Sequence, residues 1–342
     1  MKRRHILIII SVFVLFFSIG LEKSEAQDLI FSQYYNAPIH INPAFAGTVA
    51  YPHFTTNYRM QWPSLNSVYK TYAVTYDQYF KKMNSGLGFI AISDDQGDGT
   101  LKTTKLAGIY SYKIRFNQDW QIKFGIEAGI NQSRLNWDKL IFLDQIDAVS
   151  GPFDTAGIPY PSKEVRPESL SNSFLDVSMG LLLYNPLYYV GISLDHVNGP
   201  YAGFTQSETD ASSESLPVLL TLHGGLQIVL EEDNKGKPTT FISPNIVYAR
   251  QSSFNQVNLG AYIQVREIFG GVWIRHTLKN IDSYIFSFGL NLNNIKIGYS
   301  FDLTSSKLGL STGGSHEVGI SIGLANLEKK ESKYNDCLSL FR

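Results

Sequence analysis

The sequence predicts an all-β fold: a transmembrane antiparallel β-barrel of outer-membrane type, with about fourteen strands. Three observations carry this: a period of two, an export signal, and loop lengths that alternate along the chain. The alternation is cleanest between Asp282 and Leu324. Tyr284, Phe286, Phe288, Leu290 and Leu292 alternate with Ile285, Ser287, Gly289, Asn291 and Asn293. Next, Ile295, Ile297, Tyr299, Phe301 and Leu303 alternate with Lys296, Gly298, Ser300 and Asp302, and then Val318, Ile320, Ile322 and Leu324 with Glu317, Gly319, Ser321 and Gly323. Successive strand side chains point to opposite faces, so each segment separates an apolar environment from a wet one.

The N-terminus reads as an export signal. Lys2, Arg3 and Arg4 precede an apolar stretch from Ile6 to Gly20, and Ser24-Glu25-Ala26 resembles a cleavage site, which puts the start of the mature chain at Gln27. The stretch is short for a membrane-spanning helix, which needs about 20 residues. No Cys follows it to carry a lipid.

Composition agrees. The 342 residues are 17% charged, against about a quarter in ordinary globular chains, and 13% aromatic, with 20 Tyr and 21 Phe. Mean hydropathy is −0.08 and no long apolar run follows Gly20, which excludes a helical membrane protein. A barrel spaces its lipid-facing residues at every second position, so its average hydropathy stays near zero. A net charge of −1 points to no nucleic-acid partner. The one cysteine, Cys337, permits neither an intrachain disulfide nor a Cys metal cluster.

Alternation and turn residues divide the chain into a signal peptide (1–26), an N-terminal periplasmic or plug segment (27–48), the barrel (49–325) and a polar tail (326–342). Strands are expected at 49–61, 67–80, 85–93, 100–116, 119–136, 171–184, 187–198, 216–231, 238–250, 254–266, 269–279, 282–293, 294–303 and 314–325. With the N-terminus inside, every second connection is periplasmic, and each of these is short. The opposite set contains the two longest, 137–170 and 199–215. Short periplasmic turns with longer outer loops belong to this barrel class. In the strand at 119–136, Trp120, Ile122, Phe124, Ile126, Ala128 and Ile130 are expected to face lipid, with Gln121, Lys123, Gly125, Glu127, Gly129 and Asn131 inside. The same logic sends Lys113, Arg115, Lys296, Asp302 and Glu317 to the lumen, because a charge facing lipid at midplane costs about 2–4 kcal/mol. A lumen of this size holds something or needs a plug.

The N-terminal block then becomes recognisable. Gln27-Asp28-Leu29-Ile30-Phe31-Ser32-Gln33-Tyr34-Tyr35-Asn36 leads into Ile41-Asn42-Pro43-Ala44-Phe45-Ala46-Gly47. Later come Tyr58-Arg59-Met60-Gln61-Trp62, Gly86-Leu87-Gly88-Phe89, Tyr188-Tyr189-Val190-Gly191-Ile192-Ser193, Tyr299-Ser300-Phe301-Asp302 and Gly314-Ser315-His316-Glu317-Val318. In that order they resemble the PorP/SprF family, outer-membrane proteins of the type IX secretion and gliding system of Bacteroidetes. The resemblance implies a partner for export or surface attachment of adhesin-like proteins carrying a C-terminal sorting domain. It also implies contact with periplasmic secretion components in an outer-membrane lipid setting; no cofactor is expected. The tail at 326–342 departs from a barrel that ends promptly.

Other motifs are weaker. Asp94-Asp95-Gln96-Gly97-Asp98-Gly99 hints at calcium, but the twelfth position is Lys105 where an EF-hand needs Glu, and such residues suit an ordinary turn. His196, His223, His276 and His316 show no metal-ligand spacing, and no G-x-S-x-G nucleophile elbow occurs, so no catalytic pair can be named. Pro43 biases Asn42 to an extended shape and Gly47 permits a tight turn, an entry into the first strand. Alternatively, Gln27–Gly47, with Tyr34, Tyr35, Asn42, Pro43, Phe45 and Gly47, forms a plug or partner-binding segment at the periplasmic mouth, the three aromatics as anchors. Two other readings of the whole chain are an outer-membrane channel or small-molecule transporter, and a secreted soluble sandwich.

Overall fold

The computed structural model describes residues 28–49, 51–65, 68–117, 119–204, 215–234, 238–292, 294–305 and 309–324. The expected signal peptide, the polar tail and Cys337 lie outside these residues. The strand segments are β1 (His53–Gln61), β2 (Tyr69–Phe80), β3 (Ser85–Gln96), β4 (Leu101–Arg115), β5 (Gln121–Leu135), β6 (Ser171–Tyr184), β7 (Tyr188–Asp195), β8 (Leu219–Leu226), β9 (Ile228–Glu232), β10 (Pro238–Gln251), β11 (Phe254–Val265), β12 (Ile268–His276), β13 (Ile281–Leu292), β14 (Ile295–Thr304) and β15 (Ser315–Gly323). All pair antiparallel with their neighbours, and β15 pairs with β1, Glu317 opposite Arg59 and Ser321 opposite Thr55. β8 and β9 are two halves of one stave, interrupted at Gln227, and both pair with β10. The result is a closed barrel of 14 staves, as a lipid-spanning sheet requires.

The expected strands correspond to observed ones, with local differences. The first begins at His53 rather than at 49: the chain still bends at Val49 and Tyr51, and Pro52 has no N–H for the ladder. β3 runs on to Gln96, so Asp94 and Asp95 pair in the ladder with Thr71 and Lys70, and the expected loop shrinks to a tip at 97–100. β7 stops at Asp195 because His196 adopts a left-handed backbone (φ 58°). In β10 the register slips between Pro238 and Phe241. Pro238 has no N–H for the ladder. Below the slip Pro238 and Thr240 face inward; above it Phe241, Ser243 and Asn245 do.

The faces follow the period of two. Phe286, Phe288 and Leu290 are exposed on the outer surface of β13, Phe288 at 61%, and Ile126 and Ile130 likewise on β5. Between them, Ser287 and Glu127 are buried inward. Among the described residues no helix is long and apolar enough to cross a membrane; the strands do it. Phe288→Arg is therefore expected to destabilise the inserted barrel by about 2–4 kcal/mol, and Asn291→Arg far less. Heat-modifiability on gels measures both; equal damage would contradict the register.

One barrel end carries short connections: the turn at Lys81–Met83, and links at 116–120, 185–187, 266–267 and 293–294. The other carries 136–170 and 196–218, although a two-residue link at 252–253 joins β10 to β11 there. If the long connections face outward, antibody on intact cells should reach a tag within Ser162–Ser169 but not one at 232–237; the reverse result would invert the topology.

Candidate functional site

The lumen is occupied by the protein's own N-terminal segment. Asp28 contacts His196 and Gln251, both at the long-connection end, whereas β1 starts at the short-turn end, so residues 28–49 thread the barrel from one end to the other. Two proline-led 3-10 turns shape the thread, Pro38–His40 and Pro43–Phe45. Proline suits these first positions because its fixed φ is already helical and its missing N–H is not needed there. Asn42, extended before Pro43 (φ −155°, ψ 119°), caps the second turn by accepting from the Ala44 N–H at 2.8 Å.

Polar groups fasten the thread to the wall along its length. The Asn42 amide donates to the carbonyls of Leu181 (3.0 Å) and Ile192 (3.1 Å) and lies 3.0 Å from His223 Nε2. Ser193 Oγ donates to the Ile41 carbonyl at 2.6 Å. The Ala46 carbonyl accepts from Ser111 Oγ (2.7 Å) and Lys123 Nζ (2.5 Å), and Gly47 N–H donates to Asp77 at 2.7 Å. At the other end, His196 stands between Asp28 (2.5 Å) and Asp176 (2.8 Å), while Lys105 bridges Glu127 (2.6 Å) and Asp176 (3.7 Å).

The tightest fastening surrounds Ser32. Its Oγ donates to Asp302 at 2.7 Å and accepts from Arg59 (2.8 Å) and Arg275 (2.7 Å). Arg59 also pairs with Asp302 (2.9 Å) and Glu317 (3.2 Å), and Arg275 with Asp302 (3.0 Å). Glu317 in turn accepts the Ser32 and Gln33 N–H groups at 2.9 and 3.0 Å. Two arginines and two carboxylates, all buried, thus balance around one plug hydroxyl. Buried charges persist only when paired and hydrogen-bonded.

Between these fastenings lies an aromatic cluster. Tyr35 stacks on Trp273 with centroids 5.5 Å apart and planes at 13°, and meets Tyr262 at 5.2 Å and Phe269 at 6.1 Å. Lys296 Nζ sits 5.1 Å from the Tyr35 ring and 5.3 Å from that of Phe269, within cation–π range. Phe45 packs on Tyr189 and His223. The wall is cut to fit: a Cβ on Gly125 would collide with the Ala44 amide nitrogen, and one on Gly180 with the Asn42 side-chain oxygen. A small cavity of about 30 Å³ lies beside Leu29, Tyr34, His40 and Thr221.

Tyr34, Tyr35, Asn42, Pro43, Phe45 and Gly47 are all buried inside the barrel, Tyr35 completely. None offers a free face, so contact with a partner through them requires the segment to leave the lumen. Lys123, Glu127, Lys296, Asp302 and Glu317 are buried inward against the plug or its fastenings. Lys113 and Arg115 share that inward register at the short-turn end, where Lys113 lies over the Tyr79 ring (4.0 Å) and Arg115 is exposed. Sequence reasoning passed over Arg59, Arg275, Lys105, Asp176, His196 and Asp28 as members of the site. A signal was present: Arg59, Lys105, Asp176 and Arg275 each take an inward turn of the alternation. In the Asp94–Gly99 stretch, Asp94 accepts from Thr71 and Gln96, and Asp98 pairs with Lys70. Among the described residues no cluster of His, Cys, Asp and Glu has metal-binding geometry.

Residues 23–322 match the family model described as type IX secretion system membrane protein PorP/SprF. No curated protein matches the chain. Similar solved structures are outer-membrane barrels at very low identity. The toluene transporter TbuX of Ralstonia pickettii is 11% identical with a TM-score of 0.48, the match covering 84% of this chain and 92% of that one. The CymD monoaromatic hydrocarbon channel is 12% identical (TM-score 0.44; 84% and 91% covered), and Omp33 of Acinetobacter baumannii 7% (0.40; 80% and 96%). The family is described as one of secretion-system membrane proteins, and a closed barrel of this kind belongs in the outer membrane. With the model matched across the plug and almost the whole barrel, the chain belongs to the PorP/SprF family of type IX secretion system membrane proteins.

Proposed function

We propose that this barrel is a dedicated partner for export or surface attachment of a large adhesin-like protein bearing a C-terminal sorting domain, working beside periplasmic components of the type IX machine. The observation that supports this reading over a diffusion channel is the filled lumen. The plug crosses the barrel from Asp28 to Val49 and is fastened at both ends. A barrel filled in this way suits a member that contributes surfaces to a complex better than a permanent path for solutes. Membership of a secretion family supplies the setting.

Two measurements test it together. In a planar bilayer the purified protein should show no steady conductance. Deleting the gene should leave one large surface protein degraded, mislocalised or released, with general permeability little changed. Steady conductance combined with an unaltered surface proteome would favour the channel and discard the secretion role.

A further inference from the structure

The connection at 136–170 is unlike an ordinary polar loop. Leu143 is 89% exposed, Val149 96%, Val165 85% and Ile158 61%. Single exposed aliphatics need no explanation, but four at this level within one connection do. The connection that displays them is built, not slack. Asp144 accepts from the Lys163 N–H (2.6 Å) and Ser162 Oγ (2.9 Å), and Asp147 from the N–H groups of Val149 (2.8 Å) and Ser150 (2.9 Å). Asp154 accepts from Ile158 N–H at 2.9 Å, and Ser150 Oγ lies 3.0 Å from the Tyr160 hydroxyl. These bonds tie 143–150 to 160–163. The Lys163 N–H holds the Asp144 carboxyl below its ordinary range, and the Ser150 N–H does the same for Asp147. Both anchors are thus charged at neutral pH and weaken only under acid.

Charge decides among occupants. Residues 136–170 hold six carboxylates (Asp138, Asp144, Asp147, Asp154, Glu164, Glu168) against three cations (Lys139, Lys163, Arg166), a net of −3. An anionic lipid surface is repelled by such a loop, and so is the same loop on a second copy. We infer that this connection is a preformed docking surface for a different protein, one presenting apolar pockets with a basic rim. The inference rests on the secretion-partner reading for its biological setting and gives that reading a contact surface: preorganised aliphatic anchors for affinity, with the acidic surround steering approach and excluding lipid.

The test is photo-crosslinking on intact cells. A benzophenone side chain at Val149 should join one distinct polypeptide, with Thr155, an exposed polar position of the same connection, as control. Leu143→Ser with Val165→Ser should cut that product at least about tenfold, as expected for lost apolar anchors. Both sites are exposed, so heat-modifiability should not change. Products with lipopolysaccharide or a second copy, or no product above the Thr155 background, would overturn the inference. Its failure is separable from that of the functional reading. A surface protein lost on gene deletion but kept intact and attached in the serine variant defeats only the docking surface. A specific crosslink with no surface protein lost on deletion upholds the docking surface and defeats only the secretion role.

Discussion

Replacing Gly125 and Gly180 together by valine is expected to unseat the plug and turn a silent barrel into a conducting one. The two glycines are paired across β5 and β6. A Cβ on Gly125 would press on the backbone of Pro43 and Ala44, with the Ala44 Cα only 2.7 Å away, and one on Gly180 would lie 2.8 Å from Asn42 Cγ and 3.1 Å from Pro43 Cδ. The obstructed atoms are mostly backbone and a proline ring, which cannot swing aside as a flexible side chain would. Overpacking of this kind costs roughly 1–3 kcal/mol per site. The strands lose nothing, since valine is a better strand former than glycine. The cost therefore falls on the Asn42–Ala46 turn, whose buried hydrogen bonds contribute about 1 kcal/mol each. Gly108→Val is the control, because nothing lies within 4 Å of its Cβ position. Planar-bilayer recordings should show steady conductance for the paired variant and silence for the control. A paired variant that folds, by heat-modifiability, yet stays silent would show that these glycines do not seat the plug.

The wall was far more legible than what it encloses. The period of two in 282–324 sorts Phe286, Phe288 and Leu290 from Ser287 and Gly289 without reference to any neighbour, because a lipid-spanning strand must keep one face apolar. Loop lengths likewise showed which connections share a barrel end. Contacts of the plug have no such local signature. Tyr34 and Tyr35 are 3% and 0% exposed because Trp273, Tyr262 and Phe269, more than two hundred residues away, close around them. No pattern within residues 28–49 encodes that distance. The charged knot was half legible. Asp302 and Glu317 follow from alternation, and elementary electrostatics requires inward cations to match them. Selecting Arg59 and Arg275 from all inward residues requires the barrel register that sets Arg59 beside Glu317. The slip at Pro238–Phe241 was hidden in the same way, since it exists only relative to β9.

That knot yields the second large effect. Arg59→Met is expected to destabilise the protein by about 3–5 kcal/mol, because it leaves Asp302 and Glu317 buried with Arg275 as the one remaining guanidinium at Ser32. The loss should be felt at the plug as well as the wall, since Glu317 holds the Ser32 and Gln33 N–H groups and Asp302 accepts from Ser32 Oγ. Adding Glu317→Gln removes the surplus negative charge. The glutamine keeps one acceptor oxygen for the plug backbone, and methionine fills much of the volume vacated by the arginine stem. Replacing both members of a buried pair is commonly far milder than removing one. The double variant should therefore recover at least about 1 kcal/mol relative to the sum of the single changes, a coupling expected only between groups in direct contact. Denaturant midpoints of the refolded protein in detergent micelles give the three free energies. Hydrogen exchange at the Ser32 and Gln33 amides reports whether the plug loosens with the wall. Strict additivity of the two substitutions, or unchanged exchange at Ser32 in Arg59→Met, would mean that the four charges do not act as one lock on the plug.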